Sequence, residues 1–285
     1  MNYRHAYHAG NFADVFKHII LTRIIEYLKR KDAAFRVFDT HAGAGIYNLA
    51  SPETAKTGEW IAGIGRLCEI VPNEDVASLV GTYLEVIAQY RDGDLLTAYP
   101  GSPMIARRLL RKQDRLSVYE LHPEDAEALR AVFAGDYQVR VNQIDGWLVP
   151  GAHLPPKEKR GLVLIDPPFE KADEFGRLTS AFEKTHRRWP GGTVIGWYPL
   201  KHENQVGDFI GLLRNSGIEK LLRVEFWLAP AKSQAEFRGC GVIIKNPPFV
   251  LTNELKAILP FLCRTLGTGK AGFRIEWLAR EAKHG

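Results

Sequence analysis

Residues 161–165 read Gly-Leu-Val-Leu-Ile and end on Asp166. A strand alternates its side chains between two faces, so a run that is apolar at every position is buried on both. That environment belongs to a parallel sheet covered by helices on each side. Six more runs have strand character: 35–39, 116–120, 138–141, 193–198, 220–227 and 241–245. Helical patterns separate most of them, so the spacing predicts an α/β chain built on a largely parallel sheet. Residues 228–240 leave no room for a helical crossover, and the last two runs are expected as an antiparallel pair. Before the first strand, Phe12, Phe16, Ile19, Ile20, Ile24 and Leu28 recur at helical spacing. Asn11 stands as N-cap, and Lys29-Arg30-Lys31 suit the negative end of the helix dipole. Residues 1–31 are thus an N-terminal motif and helix. From 46 to 114 the pattern is mostly helical, with helices expected at 55–70, 76–91 and 103–112. This reads as a small helical insertion, 46–114, in a Rossmann-like domain made of 1–45 and 115–285.

Polar clusters close the first four strands: Asp39 to Gly45, Glu120, Asp145-Gly146 and Asp166. Open parallel sheets bind ligands outside the carboxyl ends of their strands, where strand order reverses. Four strands therefore deliver polar groups to one rim. Gly43 and Gly45 allow a close approach of backbone amides to a ligand, or simply make a tight turn. Glu120 stands 75 residues after Gly45 (120 − 45), where a dinucleotide fold places its ribose-binding acid about 20 residues on. An insertion accounts for the gap. A carboxylate there suits two ribose hydroxyls, or is a surface acid at a strand end. Asp145 can meet an adenine amine, or begin a turn.

Asp166-Pro167-Pro168-Phe169 is the specific signal. The exocyclic amine of adenine or cytosine is flattened by conjugation and is a poor nucleophile. A carboxylate oxygen and a carbonyl beside it can accept both N–H hydrogens and draw the lone pair toward an electrophilic methyl. The carboxylate can also take the released proton. Phe169 offers a face for the base. A second tetrad, Asn246-Pro247-Pro248-Phe249, also follows a strand. That strand is expected to be antiparallel, which puts Asn246 on the opposite rim, and an amide cannot take a proton as a carboxylate can. Near the N-terminus, Lys17 and His18 on an apolar helix can hold a carboxylate, or His18 can be a satisfied core histidine. No metal site is expected.

Composition limits the partners. Net charge is +5, compatible with a polyanion. Residues 107–115 hold five basic side chains, either a solvated helix face or a phosphate-contacting patch. Three scattered cysteines fit a reducing compartment, and with no apolar leader or membrane-spanning run the cytoplasm is the expected location.

An ordered set of motifs then resembles a known family. It comprises Tyr3-Arg4-His5, His8-Ala9-Gly10-Asn11, Asp14-Val15 with Lys17-His18, and Asp39-Thr40-His41-Ala42-Gly43-Ala44-Gly45. It continues through Tyr99-Pro100-Gly101-Ser102-Pro103, Glu120-Leu121-His122-Pro123, Asp145-Gly146, the Asp166 tetrad, Trp197-Tyr198-Pro199 and Asn246-Pro247-Pro248. Over nearly its whole length the chain resembles the RlmJ family of 23S ribosomal RNA adenine-N6 methyltransferases. The resemblance implies a class I methyltransferase fold, with seven strands and an antiparallel last strand. It implies S-adenosyl-L-methionine held by Lys17, His18, His41, Gly43, Gly45, Ser102, Glu120, Asp145, Gly146 and Asp166. Asp166 would be catalytic, and Tyr3, Pro167 and Phe169 would meet the substrate. The family usually has Tyr where this chain has Phe169, so stacking is kept and a hydroxyl contact is lost. The expected partner is 23S rRNA, protein-free or in an early assembly form, and the expected state a monomer.

Three rival readings remain: a DNA adenine-N6 or cytosine-N4 methyltransferase, a non-catalytic RNA-binding protein, and a nicotinamide oxidoreductase. The first lacks a DNA-recognition domain. The intact Asp166 tells against the second, and the missing third glycine with the displaced acid against the third.

Overall fold

The structure is a computed structural model that describes residues 4–231, 233 and 236–281. Among these, eight strands form the central sheet. They are β1 (Arg36–Asp39), β2 (Arg115–Tyr119), β3 (Val139–Asn142), β4 (Gly161–Ile165), β5 (Thr193–Pro199), β6 (Leu221–Trp227), β7 (Gly239–Lys245) and β8 (Gly272–Ala279). Their order is β8-β6-β7-β5-β4-β1-β2-β3. Strands β3, β2, β1, β4 and β5 pair in parallel. β7 is antiparallel to both β5 and β6, and β8 is antiparallel to β6. This is the mostly parallel, Rossmann-like sheet of class I methyltransferases, with the expected antiparallel strand. The strand count needs correcting from seven to eight. β8 is an edge strand on which Phe273 and Arg274 are exposed, and it adds no group to the rim.

The apolar run is buried at all five positions, as its composition requires. Leu162 and Leu164 face one hydrophobic core with Val37 and Leu116, while Val163 and Ile165 face a second with Phe38 and Tyr119. Helix α1 (Phe12–Lys29) covers the first face and is buried from Phe12 to Ile25. The Asn11 side chain caps it, accepting from the amides of Ala13 and Asp14 at 2.9 and 3.0 Å. Around α1 pack α2 (Glu74–Ala88), α3 (Ser102–Leu109) and, C-terminally, α5 (Leu251–Leu266); α4 (Glu174–Arg188) lies on the second face.

The segment 46–114 leaves and returns through a two-stranded ribbon that pairs Ile46 with Pro100 and Asn48 with Ala98. The single helix expected at 55–70 is broken in three: Pro52–Thr57, a wide turn at Ile61–Gly65, and Arg66–Glu69. Gly58 and Gly63 explain the breaks. Gly58 ends the first piece with φ of 60°. A Cβ on Gly63 would lie 2.2 Å from the Gly10 carbonyl oxygen, so the kink brings the backbone against the N-terminal segment. α3 packs on α1, β1 and β2 as well as on α2 and the returning strand of the ribbon.

The basic run 107–115 is largely scaffold. Arg107 pairs with Asp136 at 2.5 Å, and Arg111 binds Asp114 and the carbonyls of Lys29 and Lys31. The second tetrad lies on the rim opposite the four strand ends. Asn246 donates to the Gly192 carbonyl at 3.1 Å, and the buried Lys245 ammonium donates to the carbonyls of Pro190 and Gly192 at 2.6 and 3.1 Å. These two residues tie down the turn entering β5. Burial lowers the Lys245 pKa to about 8.

Candidate active site

Because β4, β1, β2 and β3 are neighbours and parallel, their carboxyl ends line one cleft. His18, His41, Gly43, Ser102, Glu120, Asp145, Gly146, Lys17, Asp166, Pro167 and Phe169 all line it. Gly45 does not. It shapes the turn from behind, with φ of 85°, and a Cβ there would lie 2.9 Å from Leu129 Cδ1. Tyr3 lies outside the described residues. The four rim strands are drawn together by backbone contact. A Cβ on Gly146 would lie 1.8 Å from the Thr40 carbonyl oxygen, so only glycine lets the β3 loop pass the β1 loop.

At the β1–β2 end, Glu120 is the organising acid. Its Oε2 accepts the Gly43 amide at 2.8 Å and its Oε1 accepts the His122 amide at 2.7 Å. One lone pair per oxygen remains for a ligand. Burial raises the Glu120 pKa, and the two amides oppose that shift. Beside it, Thr40 Oγ1 donates to the Leu164 carbonyl at 3.0 Å. The 2.8 Å contact between Thr40 Oγ1 and His41 Nδ1 therefore has the imidazole as donor. That leaves His41 Nε2 as an acceptor. Burial lowers the His41 pKa to about 4, so the ring is neutral near pH 7. Its edge meets Trp147 at a centroid distance of 5.1 Å. Asp145 accepts from the Trp147 amide at 3.0 Å and from Arg177 at 3.2 Å.

The cleft floor is a buried polar chain. Tyr83 and Tyr99 hydroxyls are 3.0 Å apart, and Tyr99 OH is 2.7 Å from His18 Nδ1. With Tyr99 donating to Nδ1, the proton of the neutral ring sits on Nε2, a buried atom with no protein hydrogen bond. Burial lowers the His18 pKa to about 3. Ser102, at the first turn of α3, donates to Asp39 Oδ2 at 2.6 Å. Asp39 Oδ1 is buried and unpartnered, and burial raises that carboxyl's pKa to about 7.

Asp166 stands where these groups meet. Its Oδ2 forms an ion pair with Lys17 Nζ, and Lys17 Nζ also donates to Asp14 Oδ1 at 2.8 Å. Among the described residues, Asp166 Oδ1 has no protein hydrogen bond. After the two prolines the chain turns through Phe169 at φ of 52°, a left-handed conformation that costs a non-glycine residue roughly 1–2 kcal/mol. The turn places the Phe169 ring edge-on to Phe175 and Trp197, with centroids 4.8 and 5.8 Å away. One side of the tetrad is thus an aromatic wall and the other a carboxylate with one engaged oxygen. Two of these groups, Asp14 and Asp39, escaped the list of site residues read from the sequence. The signal for Asp14 was present: an acid three and four residues before Lys17 and His18 on an otherwise apolar helix. Asp39 was visible only as the first residue of a rim cluster.

The family model for ribosomal RNA large subunit methyltransferase D, RlmJ, matches residues 32–279. The ribosomal RNA large subunit methyltransferase J of Haemophilus influenzae is 41% identical over 285 residues, covering 99% of this chain and 100% of that protein. Its namesake from Escherichia coli K12 is 39% identical over 284 residues, with the same coverage of 99% and 100%. The crystal structure of a Legionella pneumophila protein superposes with a TM-score of 0.86 at 36% identity, covering 95% of this chain and 98% of that one. A probable spermidine synthase from Corynebacterium glutamicum, 13% identical with a TM-score of 0.52, shares the fold, over 92% of this chain and 74% of its own. On the strength of the first three matches, which span nearly the whole chain, the protein belongs to the RlmJ family of ribosomal RNA large subunit methyltransferases.

Proposed function

We propose that this chain transfers a methyl group from S-adenosyl-L-methionine to the N6 amine of an adenine in 23S ribosomal RNA. The carrying observation is Asp166: one carboxylate oxygen is held by Lys17 and the other stands open in a cleft beside an aromatic wall. The cleft suits the cofactor's chemistry. Glu120 offers two free lone pairs to a ribose diol, and His41 Nε2 with Asp145 offers acceptors to an adenine edge. His18 Nε2–H, at the floor, suits a carboxylate, and the unpartnered Asp39 oxygen suits an ammonium. Two orphaned buried atoms of opposite demand are what a zwitterionic amino acid end would satisfy. When bound, S-adenosylmethionine supplies a sulfonium methyl as electrophile.

This chain's residues do the rest. Asp166 Oδ1 and a backbone carbonyl of the Pro167 region accept the two N–H hydrogens of the target amine. Its lone pair is thereby turned out of conjugation. Asp166 then takes the proton that the methylated nitrogen loses, a general-base contribution of roughly 10²–10⁴-fold. Pro167 and Phe169 wall the base pocket, with Phe169 held by Phe175 and Trp197. Gly43, Gly45, Ser102, Gly146 and Lys17 shape or charge the cofactor end.

Residues 46–114 are read as an insertion in a domain of 1–45 and 115–285. The ribbon at Ile46–Asn48 and Ala98–Pro100 supports that exit and return, with α3 already on the main sheet. No helix among the described residues is long and apolar enough to cross a membrane. We read the protein as a cytoplasmic monomer acting on protein-free or early-assembly rRNA.

A methyl-transfer assay separates substrates. Protein-free rRNA is expected to accept label and duplex DNA is not, since a base stacked in a duplex must first be extruded at a cost of a few kcal/mol. Labelling of DNA alone would overturn the reading.

A further inference from the structure

Asp14 touches neither the open side of Asp166 nor the ribose end of the cleft, yet it is 1% exposed and holds four groups. Its Oδ1 accepts from Lys17 Nζ at 2.8 Å and lies 3.9 Å from His18 Nε2. Its Oδ2 accepts the Gly10 amide at 2.9 Å and lies 3.0 Å from His5 Nε2. Lys17 is itself 3% exposed and bridges this carboxylate to that of Asp166. A lysine stem has four rotatable bonds. With Asp14 three residues earlier on the same helix, the ammonium has one place to sit, and that place is against Asp166 Oδ2. The Asp166 carboxylate is then fixed in orientation, with Oδ1 toward the cleft.

We propose that Asp14 is a positioning residue for methyl transfer. It clamps Lys17 so that one chosen oxygen of Asp166 meets the target amine. The proposal rests on the reading of Asp166 given above.

Charge supports the geometry. Burial pushes the Asp14 carboxyl up, but His5 and Lys17 outweigh it and hold it well below its ordinary range. Burial alone would lower the Lys17 pKa, and Asp14 and Asp166 outweigh that too, raising it above the ordinary 10.5. The other titratable groups around this ammonium are His5 from the N-terminal turn, His18 on α1, Asp39 at the end of β1, Tyr83 and Tyr99 below, and Cys240 on β7. His18 is neutral, and burial raises the pKa of both tyrosines and of the cysteine, so none of these four supplies a compensating negative charge near neutrality.

The sign of the pH effect follows. In the wild type Lys17 stays charged through neutral and mildly alkaline pH, because its pKa is raised. In Asp14→Asn the largest opposing charge is gone, and burial brings the ammonium's titration down toward neutrality. Turnover of Asp14→Asn on protein-free rRNA should therefore fall relative to the wild type as pH rises above neutrality, reaching a deficit of about 100-fold. The wild type is the reference at each pH, because it shares the titration of Asp39, whose pKa burial raises to about 7. At the low-pH end, where Lys17 of the variant is still charged, affinity for S-adenosylhomocysteine measured by calorimetry should be nearly unchanged.

A deficit that is equal at every pH, or that comes with lost cofactor affinity, makes Asp14 merely structural and overturns the proposal, as does an unaffected rate. A second arm guards against misfolding of the single variant. In a Lys17→Met background, where no buried ammonium remains, adding Asp14→Asn should cost nothing more. Additive losses in the double variant would also overturn it. Wild-type failure to methylate rRNA at all would instead sink the proposed function.

Discussion

Asp166→Asn is expected to lower kcat by about 10²–10⁴-fold while leaving cofactor affinity nearly intact. The isosteric amide fails because of Lys17. The buried ammonium needs an acceptor where Asp166 Oδ2 stands. An asparagine must turn its only oxygen toward Lys17, which leaves its amino group facing the target amine. N–H would then oppose N–H at the position that has to accept one of the two amine hydrogens. The amide also cannot take the proton released after transfer. Both losses arise in the reaction rather than in ground-state binding, so kcat falls and the Kd for S-adenosylhomocysteine holds. Single-turnover rates with calorimetry separate the two quantities. If Asp166→Asn kept full turnover, the carboxylate would have no part in the chemistry.

Glu120→Ala should act the other way, weakening cofactor binding by about 100-fold or more. A hydrogen bond to a charged group is worth roughly 1.5–3 kcal/mol, and a ribose diol would lose two of them. The carboxylate also holds the Gly43 and His122 amides, so its removal frees the turn that shapes the cleft. Glu120→Gln keeps one oxygen and should fall between wild type and alanine. Calorimetric titration of the three proteins with S-adenosylhomocysteine reads the series directly. Equal affinities would remove Glu120 from the cofactor site.

How much of this was legible before the structure depended on periodicity and on strand ends. All seven expected strands are present, because each is a short apolar run bounded by turns or helices. The rim followed from them, since parallel strands in one sheet must deliver their ends together. Position also decided between the two tetrads: Asn246 ends an antiparallel strand and serves the turn at Pro190–Gly192. β8 was passed over although Phe273, Ile275 and Trp277 alternate with polar residues, the mark of an edge strand. The helix expected at 55–70 ignored Gly58 and Gly63. The basic run at 107–115 illustrates a general difficulty. Charge density says nothing of partners, and Asp136 and Asp114 with two backbone carbonyls occupy Arg107 and Arg111. Asp14 and Asp39 were hard to weigh for the same reason, because a buried carboxylate declares itself only through what surrounds it.

The central claim is the identity of the methylated atom. Purified protein is incubated with S-adenosylmethionine and unmodified 23S rRNA, which is digested to nucleosides and mapped by mass. N6-methyladenosine is expected from the wild type and should be nearly absent with Asp166→Asn. A methyl group on a ring carbon, on a ribose oxygen or on a different base would contradict it.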